Sequence, residues 1–153
     1  MRIELVKGVR PGAPRNTLVS GDGAIHLNII PSKQFKTTRI FISFIKNIES
    51  KKELAERALL ANYLEMCSQN YPTQIDIARK LSQMYGASFG SSVDRRGNYQ
   101  LINFSIDYIE GKYLVGNEDL FSEVIEFLKE IIFNPSLHIR NKPQISSEMF
   151  LFS

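Results

Sequence analysis

Apolar and polar residues alternate along Ile25-His26-Leu27-Asn28-Ile29-Ile30, between the turn signal Gly21-Asp22-Gly23 and the strand-ending Pro31. This two-residue period predicts a half-buried strand over 24–30. The polar stretch 32–36 is short, and Thr37-Thr38-Arg39-Ile40-Phe41-Ile42-Ser43-Phe44-Ile45 is rich in β-branched and aromatic residues. A second strand over 37–45 is therefore expected, folded back on the first as a hairpin. The period then lengthens. Ser50-Lys51-Lys52-Glu53 has capping-box spacing, and Leu54, Ala58, Leu59, Ala61 and Leu64 follow at three- and four-residue intervals, predicting a helix over 51–69. Asn70-Tyr71-Pro72 breaks it. Thr73 with Asp76 caps a second helix over 73–85, with Ile75, Ala78, Leu81 and Tyr85 as its apolar face and Gly86 as its stop. Residues 87–93 and 99–109 flank the turn Asp94-Arg95-Arg96-Gly97-Asn98 and read as a second antiparallel hairpin. A third helix opens at Glu118 or Asp119 and closes at Asn134-Pro135; its apolar residues Leu120, Phe121, Val124, Ile125, Phe127, Leu128, Ile131 and Ile132 wrap widely, as in a core helix.

Helices separated by antiparallel hairpins give an α+β fold, an antiparallel sheet covered by helices on one face. Arg10-Pro11-Gly12-Ala13-Pro14-Arg15-Asn16 is dense in turn formers, so residues 1–19 are expected to be an irregular lead-in to a domain over 20–137. After Leu137 neither period persists, and 138–153 reads as a tail foreign to that domain. The chain is therefore expected to be the N-terminal part of something longer, with its sheet incompletely covered and apolar surface exposed.

Composition narrows the function. At 43% hydrophobic and 23% charged residues the chain is of globular type. Cys67 is its one cysteine, which excludes an intrachain disulfide and suits a reducing, cytoplasmic setting. Charges at Glu4 and Lys7 interrupt the N-terminus where a secretory signal needs an apolar core, and no apolar run is long enough for a membrane span. The net charge of +3 and pI near 9.0 come from cations dispersed among 16 acids, so a nucleic-acid partner is not expected.

The order of elements, with Leu59-Leu60-Ala61-Asn62-Tyr63-Leu64-Glu65-Met66 on the first helix, resembles the N-terminal domain of the pitrilysin-insulinase zinc metallopeptidases, the inverzincins of LuxS/insulinase-like fold. In that family the segment is Gly-Leu-Ala-His-Phe-Leu-Glu-His. Asn62, Glu65 and Met66 stand at the positions of its His, Glu and His. Two imidazoles four residues apart lie about 40° apart around a helix and converge on one zinc, while the glutamate between them polarises a bound water. Here a neutral amide and a thioether replace the imidazoles, and the downstream glutamate ligand has no matching segment. The resemblance thus implies a degenerate, inactive homologue: no catalytic residue, no metal and no cofactor. Leu81-Ser82-Gln83-Met84-Tyr85-Gly86-Ala87-Ser88-Phe89-Gly90 resembles the following helix end and strand, with Gly90 where active members carry Asn.

Degenerate members of the family resemble the non-catalytic halves of two-subunit peptidases, and residues 81–98 look most like a bacterial subgroup associated with 5-aminopentanol modification of elongation factor P. The implied partner is a zinc-bearing insulinase-family homologue, with a peptide or protein substrate held between the two. An exposed sheet edge can add a substrate peptide as an extra strand, and strand 87–93 is the candidate edge. Gly90, Ser91, Ser92, Arg95 and Arg96 are the candidate substrate-binding residues. Plainer readings stand beside these: Met66 as core filler, Glu65 as a solvated or salt-bridged surface residue, Arg95 and Arg96 as a solvated turn. His26, in a strand, and His138, in the tail, have no carboxylate at ligand spacing. A zinc enzyme built on Glu65 and Cys67 is disfavoured by spacing. The competing function is a stand-alone protein-binding or structural domain without a peptidase partner.

Overall fold

The computed structural model describes residues 2–6, 16–19, 26–30, 35–116 and 119–136. In chain order these form β1 (Arg2–Val6), β2 (Asn16–Val19), β3 (His26–Ile30), β4 (Thr37–Asn47), α1 (Lys51–Leu64), α2 (Gln74–Gln83), β5 (Ser88–Arg96), β6 (Tyr99–Ile109), a 3-10 turn (Gly111–Tyr113) and α3 (Leu120–Phe133). The strands make one six-stranded sheet in the order β2-β3-β1-β4-β6-β5. All neighbours run antiparallel except β1 and β3, which are parallel. The fold is α+β, as expected.

The first hairpin is not formed. β1 lies between β3 and β4, pairing Arg2 to Val6 with His26 to Ile30 on one side and with Ser43 to Arg39 on the other. Residues 2–6 and 16–19 are thus strands of the sheet where an irregular lead-in was expected. The signal was the alternation Ile3-Glu4-Leu5 ahead of the turn-rich segment. The tail over 138–153 lies outside the described residues.

The second hairpin forms with a tighter turn than its sequence suggested. Strand pairing continues to Arg96 and Tyr99, leaving Gly97-Asn98 as a two-residue loop in which Gly97 has φ +59°. On the helix-facing side of the sheet, Thr38, Ile40, Ile42 and Phe44 of β4 stand opposite Tyr108, Ile106, Phe104 and Ile102 of β6. Phe89 of β5 stacks on Phe104 and meets the edge of Phe127 from α3 at 5.5 Å between ring centres, which joins the outermost strand to the helical layer. Leu60, Ala61 and Leu64 of α1, and Leu120, Val124, Phe127, Leu128, Ile131 and Ile132 of α3, complete this core. The other face of the sheet carries polar pairs. Arg39 grips Asp107 with two hydrogen bonds, Ser43 donates to Asn103, and the Asn103 amide donates to Ser92 and Asp94.

Helix boundaries and faces depart from the sequence reading in three places. α1 ends at Leu64, because the N–H groups of Met66 and Cys67 both go to the Tyr63 carbonyl and Ser68 closes a local turn with Tyr71. α2 has the expected capping box but a rotated face: Ile77 and Met84 are buried, with Leu81 partly so, while Ile75 is 69% exposed. Tyr85 lies beyond that helix with φ +56°, so it caps the turn into β5 together with Gly86. α3 is capped by Asp119, which accepts the Phe121 N–H, and it buries one face; Phe121, Ile125 and Phe133 remain exposed.

The loop between α1 and α2 is tied to α3 by one carboxylate. Buried Glu130 accepts hydrogen bonds from the Ser68 hydroxyl, the Asn70 N–H and the Asn134 amide. Burial alone would raise its pKa, but these donors together hold it below the ordinary carboxylate value. A depressed native pKa contributes stability that is complete above the unfolded carboxylate value and is lost as pH falls through the native one. Glu130→Gln, which turns an amide N–H toward these donors, should therefore cost about 1–3 kcal/mol at neutral pH. Urea denaturation as a function of pH should show the gap to the unsubstituted protein closing in acid.

Candidate functional site

β5 is one of the two edge strands, with β6 on one side and no described strand on the other. Its two-residue period sends Phe89, Ser91 and Val93 toward the helical layer, opposite Ile106, Phe104 and Ile102, and sets Gly90, Ser92 and Asp94 opposite Ser105, Asn103 and Leu101. The end of α1 lies against this strand. Glu65, the C-cap residue, keeps helical torsions and turns its carboxylate to the strand edge. Its Oε1 accepts the Ser91 N–H at 2.9 Å and its Oε2 accepts the Ser91 hydroxyl at 3.0 Å. That hydroxyl also lies 3.5 Å from the Ala61 carbonyl oxygen.

Hydrogen bonds to a charged acceptor contribute about 1.5–3 kcal/mol, less where solvent competes. The Glu65 carboxylate therefore works as a tie between helix and strand. It is half-buried and hydrogen-bonded, which the solvated-surface reading of Glu65 did not anticipate. Asn62 is exposed, and Met66 is 52% exposed, so Met66 is not core filler. The reason is angular. At 3.6 residues per turn, position 62 falls on the side of α1 opposite the buried Leu60, Ala61 and Leu64, and Met66 lies past the helix end in the turn that follows.

The nominated binding residues all lie on β5 but are not drawn together. Gly90 and Ser91 meet Glu65; a Cβ at Gly90 would sit 3.6 Å from Glu65 Oε1, an ordinary contact. The Ser92 hydroxyl accepts from the Asn103 amide on the far face of the sheet. Arg95 donates to the Gly97 carbonyl of its own turn, and Arg96 is exposed beside it. At about 3.3 Å per residue, these arginines stand roughly 13–20 Å along the strand from Gly90 and Ser91.

Cys67 belongs to another environment. Burial, followed by the neighbouring Cys67, pushes the Tyr63 hydroxyl up to about 12, although that hydroxyl donates to the Ser136 carbonyl. Cys67 thus faces Tyr63 while Glu65 faces Ser91. Among the described residues no group of three or more His, Cys, Asp or Glu side chains is placed to hold a metal ion. His26 is exposed at the start of β3, and His138 is outside the described residues. Sequence reasoning nominated Glu65 and Ser91 separately and missed their contact, since no periodicity links residues 26 positions apart.

No family model matches the chain. It is similar to a Bacillus subtilis (strain 168) protein named probable inactive metalloprotease YmfF, at 25% identity over 122 residues that make up 80% of this chain and 28% of the relative. It is also similar to the crystal structure of a conserved protein from Enterococcus faecalis V583, with 31% identity and a TM-score of 0.74 over 89% of this chain and 31% of that one. The chain therefore spans about a third or less of the length of these relatives. No described helix is long and apolar enough to cross a membrane.

With Glu65 tied to Ser91, and no group of three or more His, Cys, Asp or Glu side chains gathered among the described residues, histidines at 62 and 66 alone should not create a tight metal site. The double variant Asn62→His, Met66→His should retain well under one equivalent of zinc after dialysis against a chelator, read by elemental analysis. One tightly held zinc per chain would contradict this.

Proposed function

We propose that this chain is the non-catalytic, partner- and substrate-binding part of an assembly whose zinc-bearing companion resembles the insulinase-type peptidases. The observation that carries the proposal is β5: an outermost strand with outward backbone groups, next to a helix end where a peptidase of that family would hold its zinc. Main-chain pairing to such an edge needs no metal, so binding of an extended peptide survives the loss of both imidazoles. The similarity to a probable inactive metalloprotease supports the same direction.

In this reading Gly90 and Ser91 contact the added strand beside Glu65, Ser92 stiffens the strand through Asn103, and Arg95 and Arg96 meet acidic groups of substrate or companion at the hairpin tip. The chain corresponds to a part of a longer protein related to the elongation factor P modification subgroup. The free thiol of Cys67 fits a cytoplasmic setting.

Affinity purification of the tagged protein from its own cells, at the length encoded by its gene, tests this. A companion carrying an intact His-x-x-Glu-His helix should co-purify in stoichiometric amount. Recovery with other proteins but without such a companion would favour the stand-alone binding domain.

A further inference from the structure

Resting on the peptide-binding reading of β5, we infer that the Glu65 carboxylate is a latch that closes the sheet edge at its midpoint by occupying the place of an incoming strand's carbonyl. An added strand would be held by the outward N–H and C=O groups of β5. The Ser91 N–H points away from β6, and the two-residue period gives the same direction to Phe89, Val93 and Arg95. Ser91 lies near the middle of the strand Ser88–Arg96, so its N–H is central to any peptide long enough to pair along the edge. That N–H already donates to Glu65 at 2.9 Å.

The competition between Glu65 and a peptide is unequal. A peptide carbonyl offers Ser91 one neutral acceptor, whereas the carboxylate is charged and takes the hydroxyl as well as the N–H. The closed arrangement is therefore favoured at rest. Release is nevertheless local. Both hydrogen bonds of the Glu65 carboxylate go to Ser91, and among the described residues it forms no ion pair. Glu65 follows the last helical residue, Leu64, which is buried, so its side chain can swing while the helix stays packed. The apparent affinity for an extended chain is then the intrinsic one multiplied by the open fraction.

The test uses fluorescein-labelled, reduced and carboxymethylated α-lactalbumin, a permanently unfolded chain, read by fluorescence anisotropy, with amide hydrogen exchange at Ser91 as the direct report on the latch. Glu65→Ala should bind this probe about tenfold tighter than the unsubstituted protein, and Ser91→Ala, which removes one of the two bonds, about threefold tighter. Exchange at residue 91 should quicken in both, while Ser92, bonded within the sheet, stays protected. Thermal melting verifies folding, and if Glu65→Ala does not fold, Ser91→Ala decides. Equal probe affinity for the unsubstituted and folded variant proteins would overturn the latch and leave peptide binding at the edge standing. Absence of binding by all of them, with Ser91 exchange quickened, would overturn the peptide-binding reading and the latch together.

Discussion

A backbone N–H on the outermost strand of a sheet must find an acceptor, and at Ser91 that acceptor is a carboxylate delivered from the end of a helix. Much of what distinguishes this chain depends on that contact. It joins the end of α1 to β5, and it covers the centre of an edge that would otherwise be open to another strand. The end of α1 is a structural joint, with both oxygens of the Glu65 carboxylate engaged by Ser91.

The joint works because the layer beneath it is rigid. Ile106, Val124 and Ile131 are wholly buried, and Phe104 and Phe127 nearly so, giving the helices a close-packed floor on one face of the sheet. Phe89 carries that packing out to β5 by stacking on Phe104 and meeting Phe127. The opposite face is held by polar pairs in register, Arg39 with Asp107 and Ser43 with Asn103, so the strands carrying the edge are fixed from both sides. Glu130 does for the α1–α2 loop what Glu65 does for the strand edge, gathering donors from separate segments onto one carboxylate.

Where one period ran unbroken, the sequence was readable: β4, β6 and α3 were all foreseen within a few residues, and so were the capping box of α2 and the Asp119 cap. Competition between local signals hid the rest. The five residues of β1 are short and precede a turn-rich segment, and their partners are set by the sheet as a whole, so the hairpin expected between β3 and β4 gave way to insertion of β1. Ser68 and Tyr71 form a turn that outcompetes the last helical residues expected for α1. Ile75 and Ile77 offered two apolar faces for α2, and packing chose the one with Ile77. The Glu65–Ser91 pair could not be read at all, because neither residue type nor spacing signals a contact made only in three dimensions.

The claim that Glu65 is a tie to the strand is tested most directly by a double-mutant cycle on stability with Glu65→Ala, Ser91→Ala and the pair, measured by urea denaturation at neutral pH. A coupling of about 0.5–1.5 kcal/mol is predicted, as for a charge-assisted hydrogen bond at a half-buried site. Additive single effects, with coupling near zero, would contradict the account and return Glu65 to the status of an ordinary surface carboxylate.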